Sequence, residues 1–173
     1  MNYYTWLESP LGELLLVSDG EALQGLYLAG QKYFPQISAD WQQDGQLGLL
    51  QQAVMQLDEY FQHQRQQFDL PLNPLGTAFQ QQVWQQLPRI SYGQTLTYGE
   101  IAAKLGQPLA ARAVGAANGR NPISIIVPCH RVIASNGQLT GYAGGIDRKR
   151  WLIDHETASA NAGRSQLSLF PQE

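Results

Sequence analysis

The chain holds one cysteine in 173 residues, Cys129, and His130 follows it directly. A thiol beside an imidazole can serve as nucleophile and base, in hydrolysis or in group transfer. An unperturbed thiol has a pKa of about 8.5, so a reactive one needs a base, a cation or a helix dipole close by. His130 and Arg131 are adjacent candidates, and Glu156, near the end of the chain, could orient a histidine. The competing role for a lone cysteine is a buried, inert thiol. Neighbouring side chains in a strand point to opposite faces, so Cys129 and His130 can cooperate only in a turn or through a water. No second cysteine is present to resolve a sulfur adduct, so a thioether formed on Cys129 would persist.

These residues need a support that ends at the thiol. The continuous apolar run Ile125-Ile126-Val127 predicts a short buried strand, and Pro128, which cannot donate to a ladder, ends it. The segment 76–156 is otherwise helical. Thr77 can cap a helix whose apolar stripe is Phe79, Val83, Trp84 and Leu87. Thr97 and Glu100 form a capping box for a second helix, which stops at Gly106-Gln107-Pro108. A third helix is expected over 109–118, ending in a left-handed cap at Asn118-Gly119. The last two read as a helix-turn-helix. Asn136-Gly137 predicts a hairpin turn, and a final helix is expected over 146–156.

The first 75 residues read differently. Strands are expected over 3–8, 13–18 and 22–28, joined at Ser9-Pro10-Leu11-Gly12 and Asp19-Gly20. A helix follows over 47–62, with Leu50, Val54, Leu57 and Phe61 at helical spacing. Residues 68–72 could return as an edge strand. The fold class is therefore α+β: a small antiparallel sheet with a helix (1–75), a mostly helical, winged-helix-like domain (76–156), and a tail (157–173).

Net charge is −3, but its distribution is uneven. Residues 1–75 carry two basic side chains against nine acidic, a net of −7; residues 76–173 carry nine against five, a net of +4. The half with the thiol suits a polyanion. The helix over 109–118 offers one long polar side chain, Arg112, on a face otherwise made small by Ala110, Ala111 and Gly115. Such a face brings backbone close to DNA and reads almost no sequence, so docking should rest on phosphates. The alternative is an Ala-rich helix packed inside an ordinary domain. One cysteine and the scattered histidines His63, His130 and His155 suggest no metal centre, and no nucleotide loop or other cofactor signature appears. The first residues lack the pattern of a secretory signal, and no apolar run approaches the ~20 residues of a membrane span, which with the free thiol predicts a cytoplasmic protein.

At this point the motifs are specific. Pro128-Cys129-His130-Arg131-Val132, with Asn121-Pro122 before it and Gly141-Tyr142-Ala143-Gly144-Gly145 after it, resembles the O6-alkylguanine-DNA alkyltransferases. The likeness runs from about Phe79 to Glu156 and includes Val83-Trp84, Tyr92-Gly93, Thr97-Tyr98, Ala110-Ala111-Arg112-Ala113-Val114-Gly115 and Trp151-Leu152. The amino-terminal half resembles the family in its strand-and-helix plan, ribonuclease H-like in that family. The chain is similar to the constitutive bacterial form. The resemblance implies a single-turnover methylated-DNA–protein-cysteine methyltransferase. It would bind duplex DNA as a monomer, without cofactor, flip an O6-alkylguanine (or O4-alkylthymine) and keep the alkyl group on Cys129. It implies that His130 takes the thiol proton through a water and that Glu156 orients His130. Arg112 would fill the vacated stack, and Ala110, Ala111 and Gly115 would approach the DNA. Tyr98 would press on the adjacent phosphate and bond the flipped base. Val132, Tyr142 and Ala143 would line the pocket, and Asn121 would tie the recognition helix to the active turn. Ala143 stands where some members carry serine, and Ser124 where some carry proline, which implies a lost side-chain contact and a roomier pocket. Further along, Gln166, Leu167, Leu169 and Phe170 resemble the peptide with which bacterial repair proteins bind the sliding clamp. A Cys-His hydrolase and a non-catalytic DNA-damage binder are the competing readings. The first would turn over more than once; the second lacks the reactive cysteine.

Overall fold

The computed structural model describes residues 1–168, with side chains described as far as Ala162. The order of elements is β1 (Tyr3–Ser9), β2 (Gly12–Ser18), β3 (Leu23–Leu28), β4 (Gln42–Gln43), α1 (Gly48–Phe61), α2 (Ala78–Gln86), β5 (Leu96–Thr97), α3 (Tyr98–Lys104), α4 (Ala111–Gly119), β6 (Val132–Ile133) and α5 (Ile146–Ser168). The α+β expectation holds. Strands β1, β2 and β3 form the antiparallel meander, and the unforeseen β4 adds a parallel edge, in the order β3-β2-β1-β4. Pro10-Leu11 makes the two-residue turn, and the Ser9 hydroxyl closes it by donating to Gly12 O at 2.7 Å. Residues 68–72 reach the sheet only as an isolated parallel bridge, Leu72 to Leu23. The Pro71 carbonyl accepts from Leu23 N, and Pro71 itself has no N–H to donate, so the segment does not extend into a ladder.

The expected capping box at Thr97 forms, and Thr77 closes a second one with Gln80. The Thr77 and Thr97 side chains accept from Gln80 N and Glu100 N, and the Gln80 and Glu100 side chains reach back. Helix α4 faces the core with Val114, Ala117 and Asn118, at positions i, i+3 and i+4, leaving Arg112 and Ala116 outside. The Trp84 indole N–H donates to Ala117 O at 2.8 Å and locks α2 against α4. The expected left-handed cap at Gly119 is absent; α4 closes on Arg120 at φ −96°. At Asn136-Gly137 the turn forms, with Gly137 at φ 82°, but only the pair Ala134 and Gln138 is bonded across it. β6 instead pairs in parallel with β5. The last helix also runs past residue 156 to Ser168, because the Ala-rich stretch after Glu156 offers no proline to stop it.

One apolar core joins the two halves. It takes Leu14, Leu16, Leu26 and Leu28 from the sheet, Leu57 and Tyr60 from α1, and Val114, Val127, Cys129 and Leu152 from the rest. Backbone bonds stitch across the same seam: Leu26 N donates to Pro122 O at 2.9 Å, and Ser124 N donates to Leu26 O at 3.1 Å. The sheet edge β3 therefore supports the segment that leads to the thiol.

Candidate active site

The apolar run before Pro128 is buried but is not a strand. Residues 124–126 form a turn, and Ile125 sits at φ 72°, an uncommon value for a β-branched residue. Asn121 is the cause. Its Oδ1 accepts from Ile123 N at 3.0 Å, and its Nδ2 donates to Val127 O at 2.8 Å. These local bonds, with Val127 N donating to Ile123 O at 3.0 Å, curl the chain and overrule the strand propensity of the side chains. Cys129, His130 and Arg131 then form a single 3-10 turn. Asn118 on α4 donates from Nδ2 to Cys129 O at 3.1 Å. Two asparagines three residues apart thus hang the thiol turn from the end of α4.

Helix α5 supplies the other wall. Lys149, Leu152 and Glu156 lie on one face of it, at spacings of three and four, and all three are buried. Glu156 accepts four hydrogen bonds: from Tyr60 Oη (2.7 Å), His130 Nε2 (2.7 Å), Arg131 Nε (2.7 Å) and Arg131 Nη2 (3.0 Å). Burial alone would raise its pKa, but His130 and Arg131 outweigh that and hold the carboxyl well below its usual range. Arg131 also donates to Ile90 O at 2.8 Å, so it is committed to the carboxylate and does not act on the thiol. With the Glu156 charge shared with Arg131, burial prevails at His130 and pushes its pKa down. His130 is then neutral, with its proton on the Nε2 that faces Glu156. Its Nδ1 is buried without a hydrogen-bond partner and is the free acceptor.

The thiol itself is buried, which raises its pKa; Asn121, Lys149 and Ser124 pull the other way. Lys149 is fully enclosed. Its Nζ donates to Val132 O at 2.6 Å and Thr140 O at 2.7 Å, and burial lowers its pKa to about 8 while Cys129 opposes that shift. The Tyr142 hydroxyl and Asn118 Oδ1 are, with His130 Nδ1, buried polar atoms without partners. Such orphans are uncommon and suit a place where a ligand or water supplies the missing bonds.

The expected docking face lies on one side of this turn. Arg112 is exposed, Ala110, Ala111 and Gly115 are half-buried, and the preceding Leu109 is fully solvent-exposed. The face of Gly115 is open because a Cβ there would meet only the Tyr98 ring, at 3.7 Å. The Tyr98 hydroxyl donates to Thr140 O at 2.8 Å, which fixes the ring over α4. Between α4 and the loop 141–146 runs a cleft of about 370 Å³, bordered by Gly115, Gly119, Tyr142 and Ala143. Val132 is buried and meets Lys149 through its carbonyl. The structure thus gathers Cys129, His130, Glu156, Asn121, Val132 and Tyr142 in and around one turn; Tyr142, Ala143 and Gly115 border the cleft, whose lining includes neither Cys129 nor Tyr98. Arg112 stands apart on the exposed helix face. Leu169 and Phe170 lie outside the described residues, and the side chains of Gln166 and Leu167 are likewise not among those described.

Sequence reasoning missed Tyr60, Arg131 as the carboxylate partner, Lys149 and Asn118. Lys149 carried a signal, since it shares a helix face with Leu152 and Glu156. Tyr60 carried none, being 96 residues from Glu156. The charge count also needs correction, because Arg131 and Lys149, both counted in the basic half, are buried. Arg89, Lys104, Arg112, Arg120 and Arg150 remain exposed.

Comparison with known proteins shows the family. Residues 2–74 match the family model described as 6-O-methylguanine DNA methyltransferase, ribonuclease-like domain, and residues 78–158 match its DNA binding domain. A methylated-DNA–protein-cysteine methyltransferase of Mycobacterium tuberculosis is 49% identical over 170 residues, covering 98% of this chain and 99% of its own. The constitutive one of Bacillus subtilis is 45% identical over 166 residues, covering 92% and 98%. Among solved structures, M. tuberculosis O6-methylguanine methyltransferase superposes with a TM-score of 0.84 at 49% identity, over 92% of this chain and 94% of that one. The M. tuberculosis protein in complex with DNA gives 0.83 at 48%, over 91% and 94%.

Proposed function

The chain belongs to the 6-O-methylguanine DNA methyltransferase family, and from that premise we propose how its residues carry out alkyl-transfer repair of DNA. A flipped O6-alkylguanine enters the cleft between α4 and the loop 141–146. The Cys129 proton passes to His130 Nδ1, by way of a water, while Glu156 holds Nε2. The sulfur attacks the O6-bound alkyl carbon in line; the S–C bond forms as the C–O6 bond breaks. The electron pair stays on the guanine, which takes up the proton, so the products are S-alkylcysteine and guanine. Burial favours the neutral thiol at rest, so the thiolate is generated only when a substrate is in place. The Lys149 cation, enclosed beside the thiol, favours that moment. No residue among those described could remove the thioether, so the reaction stops at one per chain. O4-alkylthymine presents the same alkyl–oxygen carbon and belongs in the substrate class.

The observation that carries this reading is the buried His130, tied to Glu156 at Nε2 and open at Nδ1, in the same turn as Cys129. Intact mass after incubation with duplex DNA holding O6-methylguanine tests it. We expect one added methyl on Cys129, none on Cys129→Ala, and DNA binding by both. Turnover beyond one equivalent would establish a hydrolase, and binding without any mass gain a damage binder.

Arg112 fills the stack left by the base, Ala110, Ala111 and Gly115 admit the DNA backbone, and Tyr98 bonds the flipped base. Residues 1–75, 76–156 and 157–173 act as support, active domain and tail. The protein works as a cytoplasmic monomer, since a single chain supplies every group named and a reactive thiol requires a reducing compartment. Gln166, Leu167, Leu169 and Phe170 form a sliding-clamp peptide, a reading supported by the sequence pattern. Retention on purified clamp should disappear without residues 166–173; equal retention would refute it.

A further inference from the structure

On the functional reading above the base enters the cleft between α4 and the loop 141–146, and that cleft is not built from the carboxy-terminal half alone. Lys32 and Tyr33, from the loop after β3, line it together with Gly115, Tyr142 and Ala143. This loop is held in place from three directions. Gln31, buried, accepts from Leu28 N through Oε1 at 2.7 Å and donates from Nε2 to Lys32 O at 3.1 Å. Lys32 N donates to Ala143 O at 2.9 Å, and Arg148 Nη2 donates to Ala29 O at 2.8 Å, so the loop is bonded to both sides of the Gly144-Gly145 bend. The Arg120 guanidinium, at the end of α4, lies 3.7 Å from the centre of the Tyr33 ring, with Lys32 Nζ at 5.0 Å. Tyr33 itself is at φ 62°, a conformation that a non-glycine residue keeps only where its surroundings over-determine it. An exposed tyrosine in an unsupported loop would not be held this way.

We infer that Tyr33, clamped by Arg120, is a specificity-determining wall of the base cleft and sets how large an O6-alkyl substituent is accepted. The inference rests on the functional reading above and adds to it a contribution from the amino-terminal half. The ring is a fixed, flat surface at the border of the cleft. Its removal leaves the thiol turn untouched, because none of the Cys129, His130 or Glu156 bonds involves it. Trimming it should therefore enlarge the space for the substituent without altering the chemistry.

The test compares single-turnover alkylation of Cys129 by the same duplex carrying O6-methylguanine or O6-benzylguanine, for wild type, Tyr33→Ala, Tyr33→Phe and Arg120→Ala. A shape change in an apolar wall discriminates by about tenfold or more, so the benzyl-to-methyl rate ratio should rise by about that factor in Tyr33→Ala and stay near wild type in Tyr33→Phe. Arg120→Ala, which keeps the wall but frees it, should shift the ratio the same way by less. Because the ratio is taken in one duplex, any loss of DNA affinity cancels. If Tyr33 and Lys32 serve only to bind the DNA strand, both rates fall together and the unchanged ratio overturns the inference. If Tyr33→Ala fails to fold, the exposed Arg120→Ala decides alone, and an unchanged ratio there is equally fatal. A wild type that gains no alkyl group from either duplex would instead overturn the functional reading.

Discussion

Replacing Glu156 by glutamine tests the wiring behind the thiol. The carboxylate accepts four donors, two of them from a buried guanidinium. A glutamine Oε1 can satisfy about two, and its amide N–H groups then face the others. Each lost bond to a charged group costs about 1.5–3 kcal/mol, and breaking a buried pair by removing one partner costs about 3–5 kcal/mol. Both routes give a loss of about 3–5 kcal/mol, which for a chain of this size lowers Tm by roughly 10 °C. The pH dependence is equally specific. The folded-state pKa of Glu156 lies below its unfolded value. Its contribution is therefore complete above the unfolded pKa of about 4.3 and is lost as pH falls from there towards the folded pKa. Urea unfolding of wild type and Glu156→Gln between pH 7 and pH 3 should show the full gap at pH 7 and a narrowing below about pH 4. Alkyl transfer should also fall by about 10²-fold, because His130 loses the partner that fixes its tautomer. A gap under about 1 kcal/mol at pH 7, or one of constant size down to pH 3, would refute the buried ion cluster.

Four further outcomes follow from the same geometry. Tyr60→Phe removes one bond to a charged group and should cost about 1.5–3 kcal/mol in urea unfolding, with methyl transfer far less affected than in Glu156→Gln. Lys149→Met removes the cation beside the thiol, so the pH at which Cys129 reacts with iodoacetamide should rise. The folded-state pKa of Lys149, about 8, lies below the unfolded value. The unfolded chain therefore binds more protons between these pKa values, and the stability of wild type relative to Lys149→Met should increase from pH 8 to about 10.4. Arg112→Ala should slow repair of duplex DNA by about tenfold or more while leaving iodoacetamide reactivity unchanged, since Arg112 is remote from the thiol. Asn121→Ala should cost about 2–3 kcal/mol, because Ile123 N and Val127 O lose their partner inside the core.

The elements that obey local rules were legible from the sequence. The meander, α1, the Thr77 cap and the Thr97–Glu100 capping box follow from turn residues, apolar spacing and a Thr-x-x-Glu pattern, and each forms where the pattern places it. Cys129 and His130 were legible as candidates because the one cysteine stands directly before a histidine. The conformation that makes them work together was not. Three β-branched residues in a row, counting only local preference, predict a strand, and Ile125 at φ 72° contradicts that preference outright. The deciding contacts are side-chain bonds from Asn121 and an anchor from Asn118, which periodicity does not register. Arg131 was misread for a related reason: adjacency in sequence to the thiol suggested a cation for it, whereas the 3-10 turn directs it to Glu156.

The parts of the site that escaped the sequence share one physical property: they are polar groups whose partner is distant in the chain. Tyr60 reaches Glu156 across 96 residues, and Lys32 reaches Ala143 from the opposite half. A buried carboxylate, a buried lysine and a buried histidine are each unfavourable alone; Glu156 and His130 become tolerable through each other, with Arg131 and Tyr60, and Lys149 through the carbonyls of Val132 and Thr140. The amino-terminal half is thus more than a lid on a hydrophobic core. It contributes one donor to the ion cluster through α1 and, through the loop after β3, one border of the cleft between α4 and the loop 141–146. Loosening the first contact should weaken the ion cluster, and loosening the second should change which substituent is accepted. Tyr60→Phe and Tyr33→Ala separate the two routes. The first acts on stability with little effect on substrate choice, the second on substrate choice with little effect on stability. A variant set in which both effects moved together would mean that the two halves communicate only through the shared core.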